Sequence, residues 1–101
     1  MYEVITLQRL DLQGVGLESL SGAKELVPNL AYLDVADNNL YSFDLIGDLS
    51  TLTDFVDLNL KDNPVCIHSD LRDEVVAQMP TLERFNGEQL RESGFKYRQA
   101  V

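Results

Sequence analysis

The chain has 101 residues, 45% of them hydrophobic and 25% charged, the make-up of one globular domain that hides roughly two thirds of its unfolded surface. Its 17 acidic residues against 8 basic ones leave a formal charge of −9, which disfavours direct nucleic-acid or acidic-membrane binding and suits a protein partner with a basic patch. No apolar run approaches the roughly 18 to 20 residues that cross a bilayer, Met1–Arg9 is too polar for a signal peptide, and a lone Cys66 closes no internal disulfide, so a soluble chain in a reducing interior is expected.

Met1–Thr6 alternate apolar and polar residues and read as a lead-in to the first coil rather than a full cap. An open strand edge pairs readily, so a homodimer through this N-terminal edge is one expectation. From Leu7 the apolar residues fall on one ruler. The first unit places Leu7, Leu10, Leu12 and Leu17, with Val15 between Gly14 and Gly16 near its end, and returns through Leu20 and Leu26. Ser21 is expected to cap a short helical turn over Ser21–Val27 that Pro28 stops. The second unit starts 23 residues on, with Leu30, Leu33, Val35, Asn38 and Leu40. Strand alternation turns Leu33 and Val35 inward and Tyr32, Asp34 and Ala36 outward. Its return runs through Phe43, Leu45, Ile46, Leu49 and Leu52. The third unit starts 25 residues later, with Phe55, Leu58, Leu60, Asn63 and Val65, and the extra length is assigned to Asp44–Thr53.

This spacing is the register L-x-x-L-x-L-x-x-N-x-L of a leucine-rich repeat, with Val15 departing from the Asn position that Asn38 and Asn63 hold. A buried Asn amide at the bend is expected to donate to and accept from backbone groups of its turn and of the next coil. One coil cannot bury its own apolar edge, so the coils must stack. The fold class that follows is α/β: a short right-handed leucine-rich-repeat solenoid of about three and a half repeats. Its parallel sheet is concave, its convex side carries short helices or irregular returns, and its C-terminus is a helical cap. The core ladders are Leu10, Leu33, Leu58 and Phe85, and Leu12, Val35 and Leu60.

The fourth unit changes character. After Asn63, Pro64 and Val65, the residues Leu71, Val75, Val76 and Met79 recur at helical spacing, with Ser69 or Asp70 as the cap and Pro80 as the stop; Leu82 and Phe85 then open a last coil that ends at Asn86-Gly87. The stretch resembles the C-terminal cap of intracellular leucine-rich-repeat proteins on Asn63, Pro64, Val65, Leu71, Arg72, Val75, Met79, Pro80, Leu82, Phe85, Asn86 and Gly87. Leu71 replaces that pattern's common Tyr, and Asn86 its common Asp. Residues 1–90 are therefore one domain, with the cap at about 64–90, and residues 91–101 are a tail. The stretch from Glu88 to Val101 begins as a helical turn, breaks at Gly94 and ends with Phe95, Lys96, Tyr97 and Arg98, a segment that either folds over the cap or docks a partner.

Families with this cap include regulatory subunits of serine/threonine phosphatases, an axonemal dynein light chain, ciliary and centriolar repeat proteins, mRNA-export receptors and the A-prime protein of a spliceosomal particle. The resemblance implies a non-catalytic interaction module. A cytoplasmic adaptor or scaffold tied to cytoskeleton, cilium or centriole is one form. A nuclear phosphatase-regulatory or ribonucleoprotein-associated subunit is the alternative, and a self-associating structural domain is a third.

The residues themselves point away from catalysis. Cys66 and His68 form a C-x-H pair with no further His or Cys in the chain to complete a tetrahedral metal site, and nothing supplies an orienting third group to a Cys–His nucleophile. Cys66 also stands where the resembling cap buries a small apolar side chain. Gly14-Val15-Gly16 lacks the third glycine of a dinucleotide loop. No enzyme activity, metal or cofactor is expected. What remains is the outward face of the strands, where stacking aligns Arg9, Tyr32, Asp57 and Arg84 in a first row, Asp11, Asp34, Asn59 and Asn86 in a central row, and Gln13, Ala36 and Lys61 in a third. Tyr32 amid Asp11, Asp34 and Asp57 could hold a partner's Lys or Arg by ring face and charge. Outward strand positions of any soluble solenoid are polar, so carboxylates alone require no function. The expected partner-binding residues are Arg9, Asp11, Tyr32, Asp34, Asp57, Asn59, Lys61 and Arg84, with Asn38 and Asn63 structural.

Overall fold

The computed structural model describes residues 7–90. Strands β1 (Arg9–Asp11), β2 (Tyr32–Asp34), β3 (Asp57–Asn59), β4 (Arg84–Phe85) and β5 (Glu88–Gln89) form one sheet in that order, parallel except for the last pair. Helices α1 (Ala23–Leu26), α2 (Asp44–Ser50) and α3 (Leu71–Gln78) pack side by side along the returns, and Pro64–Ile67 form a 3-10 turn. The longer second unit carries the longer return helix, where the extra residues were expected. The fold is a leucine-rich-repeat solenoid.

The ladders form as the ruler requires. Leu10, Leu33, Leu58 and Phe85 are register partners. Leu33, Leu58 and Phe85 are buried, as are Val35 and Leu60, while Leu10 and Leu12 of the first coil are half-buried against the same core. Three positions turn otherwise than alternation and helical spacing predict. Ala36 is buried, because regular strand ends at Asp34 and the backbone bends before Asp37. Leu26 is 40% exposed while Leu20 and Val27 take the inward positions. Val76 is equally exposed, since a helix face repeats at three or four residues and Leu71, Val75 and Met79 already occupy the inward stripe.

The asparagines hold the coils together through the preceding coil rather than the next. Asn63, 5% exposed, accepts the Leu40 N–H at 3.0 Å and donates to the carbonyls of Val35 and Leu60, each at 2.9 Å. Asn38 accepts the N–H groups of Val15 (3.0 Å) and Leu17 (2.9 Å) and donates to the Leu12 and Val35 carbonyls. Val15 therefore stands on the coil that Asn38 grips. At the bend before each of these positions the backbone is left-handed, with φ of 66° at Gly14, 58° at Asp37 and 61° at Asp62. Gly and Asp accept that conformation more readily than most residues.

The cap ends differently from expectation. Asn86 and Gly87 have φ of 54° and 83°, the two-residue turn of a tight hairpin, and β5 runs back antiparallel beside β4 in place of the helical turn predicted from Glu88. Asn86 leaves the central row. Along the sheet, the Leu12 N–H donates to the Asp34 carbonyl and the Val35 N–H to the Asn59 carbonyl, whereas the Leu60 N–H donates to the Asn86 side-chain oxygen at 2.7 Å. On the fourth coil the Asn86 side-chain oxygen thus takes the role that main-chain carbonyls play on the second and third. Helix starts also differ: Gly22, at φ 89°, precedes α1 while the Ser21 N–H donates to the Ser19 hydroxyl, and Asp70 precedes α3 without a capping side-chain bond. The N-terminal edge and the 91–101 tail lie outside the described residues.

Candidate partner-binding surface

Parallel pairing sets the concave rows. Arg9, Tyr32, Asp57 and Arg84 are partners across β1 to β4, and Asp11, Asp34 and Asn59 across β1 to β3. Together with Leu10, Leu33 and Gly87 they line an open depression of about 220 Å³. That is below the roughly 300–1,000 Å³ of small-molecule pockets and suits a few side chains of a larger partner. Seven of the eight expected residues meet there; Lys61 lies beyond it, on the coil exit.

Contacts within the surface change how its charges read. The Arg9 guanidinium lies over the Tyr32 ring, 4.3 Å from its centroid, so the face expected to be free for a partner is covered from within. Arg84 reaches Asp57 at 3.6 Å and donates to the Gly87 carbonyl at 3.2 Å. The central row is held by the backbone it leaves: Asp11, Asp34 and Asn59 accept the N–H groups of Gln13, Ala36 and Lys61, each two residues on. These bonds tie each coil's exit and fix the side chains that make them. Gln13 adds a bridge that row-reading did not find, its amide donating to Asp34 at 2.8 Å and Asp11 at 3.3 Å. Its place beside Asp11 in the neighbouring row was the available signal. Among the described residues no cation is within ion-pair distance of Asp11 or Asp34, so two carboxylates at the centre remain uncompensated.

The depression is lined by carboxylate, guanidinium, amide, phenol and leucine. Such a set makes ion pairs, hydrogen bonds and ring contacts. Cys66 and His68 point to separate contacts, the thiol donating to the Leu60 carbonyl at 3.0 Å and the imidazole meeting Phe43 edge to face with centroids 5.3 Å apart.

By sequence, no protein-family model and no curated protein matches the chain. By structure, it is similar to a chain of the Drosophila melanogaster SNF/U2A′ complex, with 26% identity, a TM-score of 0.83, and coverage of 97% of this chain and 55% of that one. It is also similar to the Mex67 leucine-rich-repeat domain of Chaetomium thermophilum (22% identity, TM-score 0.78, 90% and 63% covered) and to a chain of the Chaetomium Mex67:Mtr2 subunits (24%, 0.74, 85% and 57%). The chain thus spans little more than half the length of the first of these. All three share its fold.

Proposed function

We propose that this leucine-rich-repeat chain is a non-catalytic protein-binding module that takes a cation-bearing partner segment across its concave sheet. The observation that carries the reading is the pair of carboxylates, Asp11 and Asp34, which have no ion-pair partner among the described residues and stand in register beside Tyr32 at the centre of the depression. Charge complementarity would draw a basic segment to them, and the exposed Tyr32 ring supplies aromatic contact. Likeness to a chain from the two-protein SNF/U2A′ complex supports a protein partner. The A-prime spliceosomal protein is among the families whose cap this chain resembles, so the same likeness favours a ribonucleoprotein-associated role over a cytoskeletal or ciliary one.

The test is capture from lysate, with nuclease present, by wild type beside a Tyr32→Ala/Asp34→Lys double variant whose far-ultraviolet circular dichroism is unchanged. A protein kept by wild type and lost by the variant, its capture falling steeply with salt, is the expected result. Equal capture by both would remove the concave face from consideration.

A further inference from the structure

We infer that Arg9 is an internal placeholder for an arginine of the partner, so that binding proceeds by exchange of one guanidinium for another on the Tyr32 ring. The inference rests on the function proposed above and names the side chain that the site selects.

Three arginines lie among the described residues, and they are held differently. Arg84 is anchored twice, by Asp57 and by the Gly87 carbonyl, and Arg72 pairs with Glu88 at 3.4 Å. Arg9 has the ring of Tyr32 at 4.3 Å and no carboxylate within ion-pair distance among the described residues. Its head is exposed, and so is the ring it covers. A single ring contact at an exposed site is weak and readily given up. Yet it shows that this ring face accepts a flat guanidinium in the geometry the fold provides.

Position explains why an incoming arginine would win the exchange. Tyr32 and Asp34 are two apart on β2 and share a face, with Asp11 opposite Asp34 on β1. Arg9 starts on β1 beside the ring and reaches sideways onto it without pairing either carboxylate. A guanidinium entering from the concave side can stack on the ring and direct its N–H fork towards Asp34 or Asp11, gaining both contacts. Lysine offers a compact point charge without the flat face or the fork, so arginine is preferred. Removing Arg9 frees the ring. With an exposed cation–ring contact as the competing state, affinity should rise about three- to sixfold.

The experiment titrates the full chain with the capped peptide G-R-G-R-G-R-G, whose alternate arginines share one face when extended, and with its lysine counterpart. Binding is followed by nuclear magnetic resonance for wild type, Arg9→Ala and Lys24→Ala. Lys24, on α1, controls for net charge alone. The expected result is tighter binding of the arginine peptide by Arg9→Ala, about three- to sixfold, with Lys24→Ala within twofold of wild type and the lysine peptide weaker throughout. If Arg9→Ala binds more weakly, or gains no more than Lys24→Ala, the placeholder role is wrong while the concave binding reading stands. Equal affinity for both peptides would overturn the choice of arginine. No shift at Tyr32 in any titration would sink the inference together with the reading beneath it.

Discussion

Replacing Asn63 with alanine isolates what a repeat asparagine contributes. In the folded chain its side chain serves four backbone groups at once, the longest bond being 3.4 Å to the Lys61 carbonyl, and these groups differ in what they have left afterwards. The Val35 carbonyl keeps the Asn38 amide and the Leu60 carbonyl keeps the Cys66 thiol. The Leu40 N–H has Asn63 as its hydrogen-bond partner and sits in a residue 1% exposed, so it is orphaned away from water. An orphaned buried donor costs about 1–3 kcal/mol, and the two shorter amide bonds, once lost, add about 0.5–1.5 kcal/mol each. We therefore expect Asn63→Ala to lose about 2–6 kcal/mol, a large part of what a domain of this size has. Asn38 makes a similar set of bonds but is half-buried, and the Val15 N–H that it binds belongs to a residue 60% exposed, where water can replace it. Asn38→Ala should cost about half as much. Urea unfolding followed by circular dichroism measures both, with an unchanged slope showing that the two-state comparison holds. A loss under about 1 kcal/mol for Asn63→Ala, or a larger loss for Asn38→Ala than for Asn63→Ala, would refute the argument from burial.

Neighbouring valines on α3 test the helix face. Val75→Ala should destabilise by about 1–3 kcal/mol, whereas Val76→Glu should stay within about 0.5 kcal/mol of wild type, because Val75 is fully buried and Val76 is 40% exposed; reversal of that order in urea unfolding would show the face misassigned. Asn86→Ala removes both the acceptor for the Leu60 N–H and a residue suited to φ of 54°, so a loss of about 1–3 kcal/mol is expected, with faster amide exchange at Leu60 as the local readout. Unchanged exchange at Leu60 would show that the Asn86 side chain does not hold the Leu60 N–H in place of a main-chain carbonyl.

Much of this molecule could be read directly from its residues. The spacing of Leu10, Leu33 and Leu58 set the strands' register, and Asn38 and Asn63 marked the bends, because a repeat's own period dictates which side chains face the core. The Asn86-Gly87 dipeptide carried a hairpin signal as well, but reading β5 from it required knowing that β4 offered an unpaired edge. Other features were decided by tertiary structure. Ala36 turned inward once the strand ended at Asp34, and Leu26 and Val76 turned outward because the inward stripe was already filled. The asparagines bound the preceding coil, a direction that follows from stacking and not from spacing. Most consequential is Arg9. The rows placed it at one end of the concave face, correctly, yet a long, flexible cation settles on whichever neighbour the fold brings within reach, and the parallel register brought the ring of Tyr32. Charge positions along a solenoid are fixed by its period; which charges compensate one another depends on side-chain reach across strands, and that exists only after the coils have stacked.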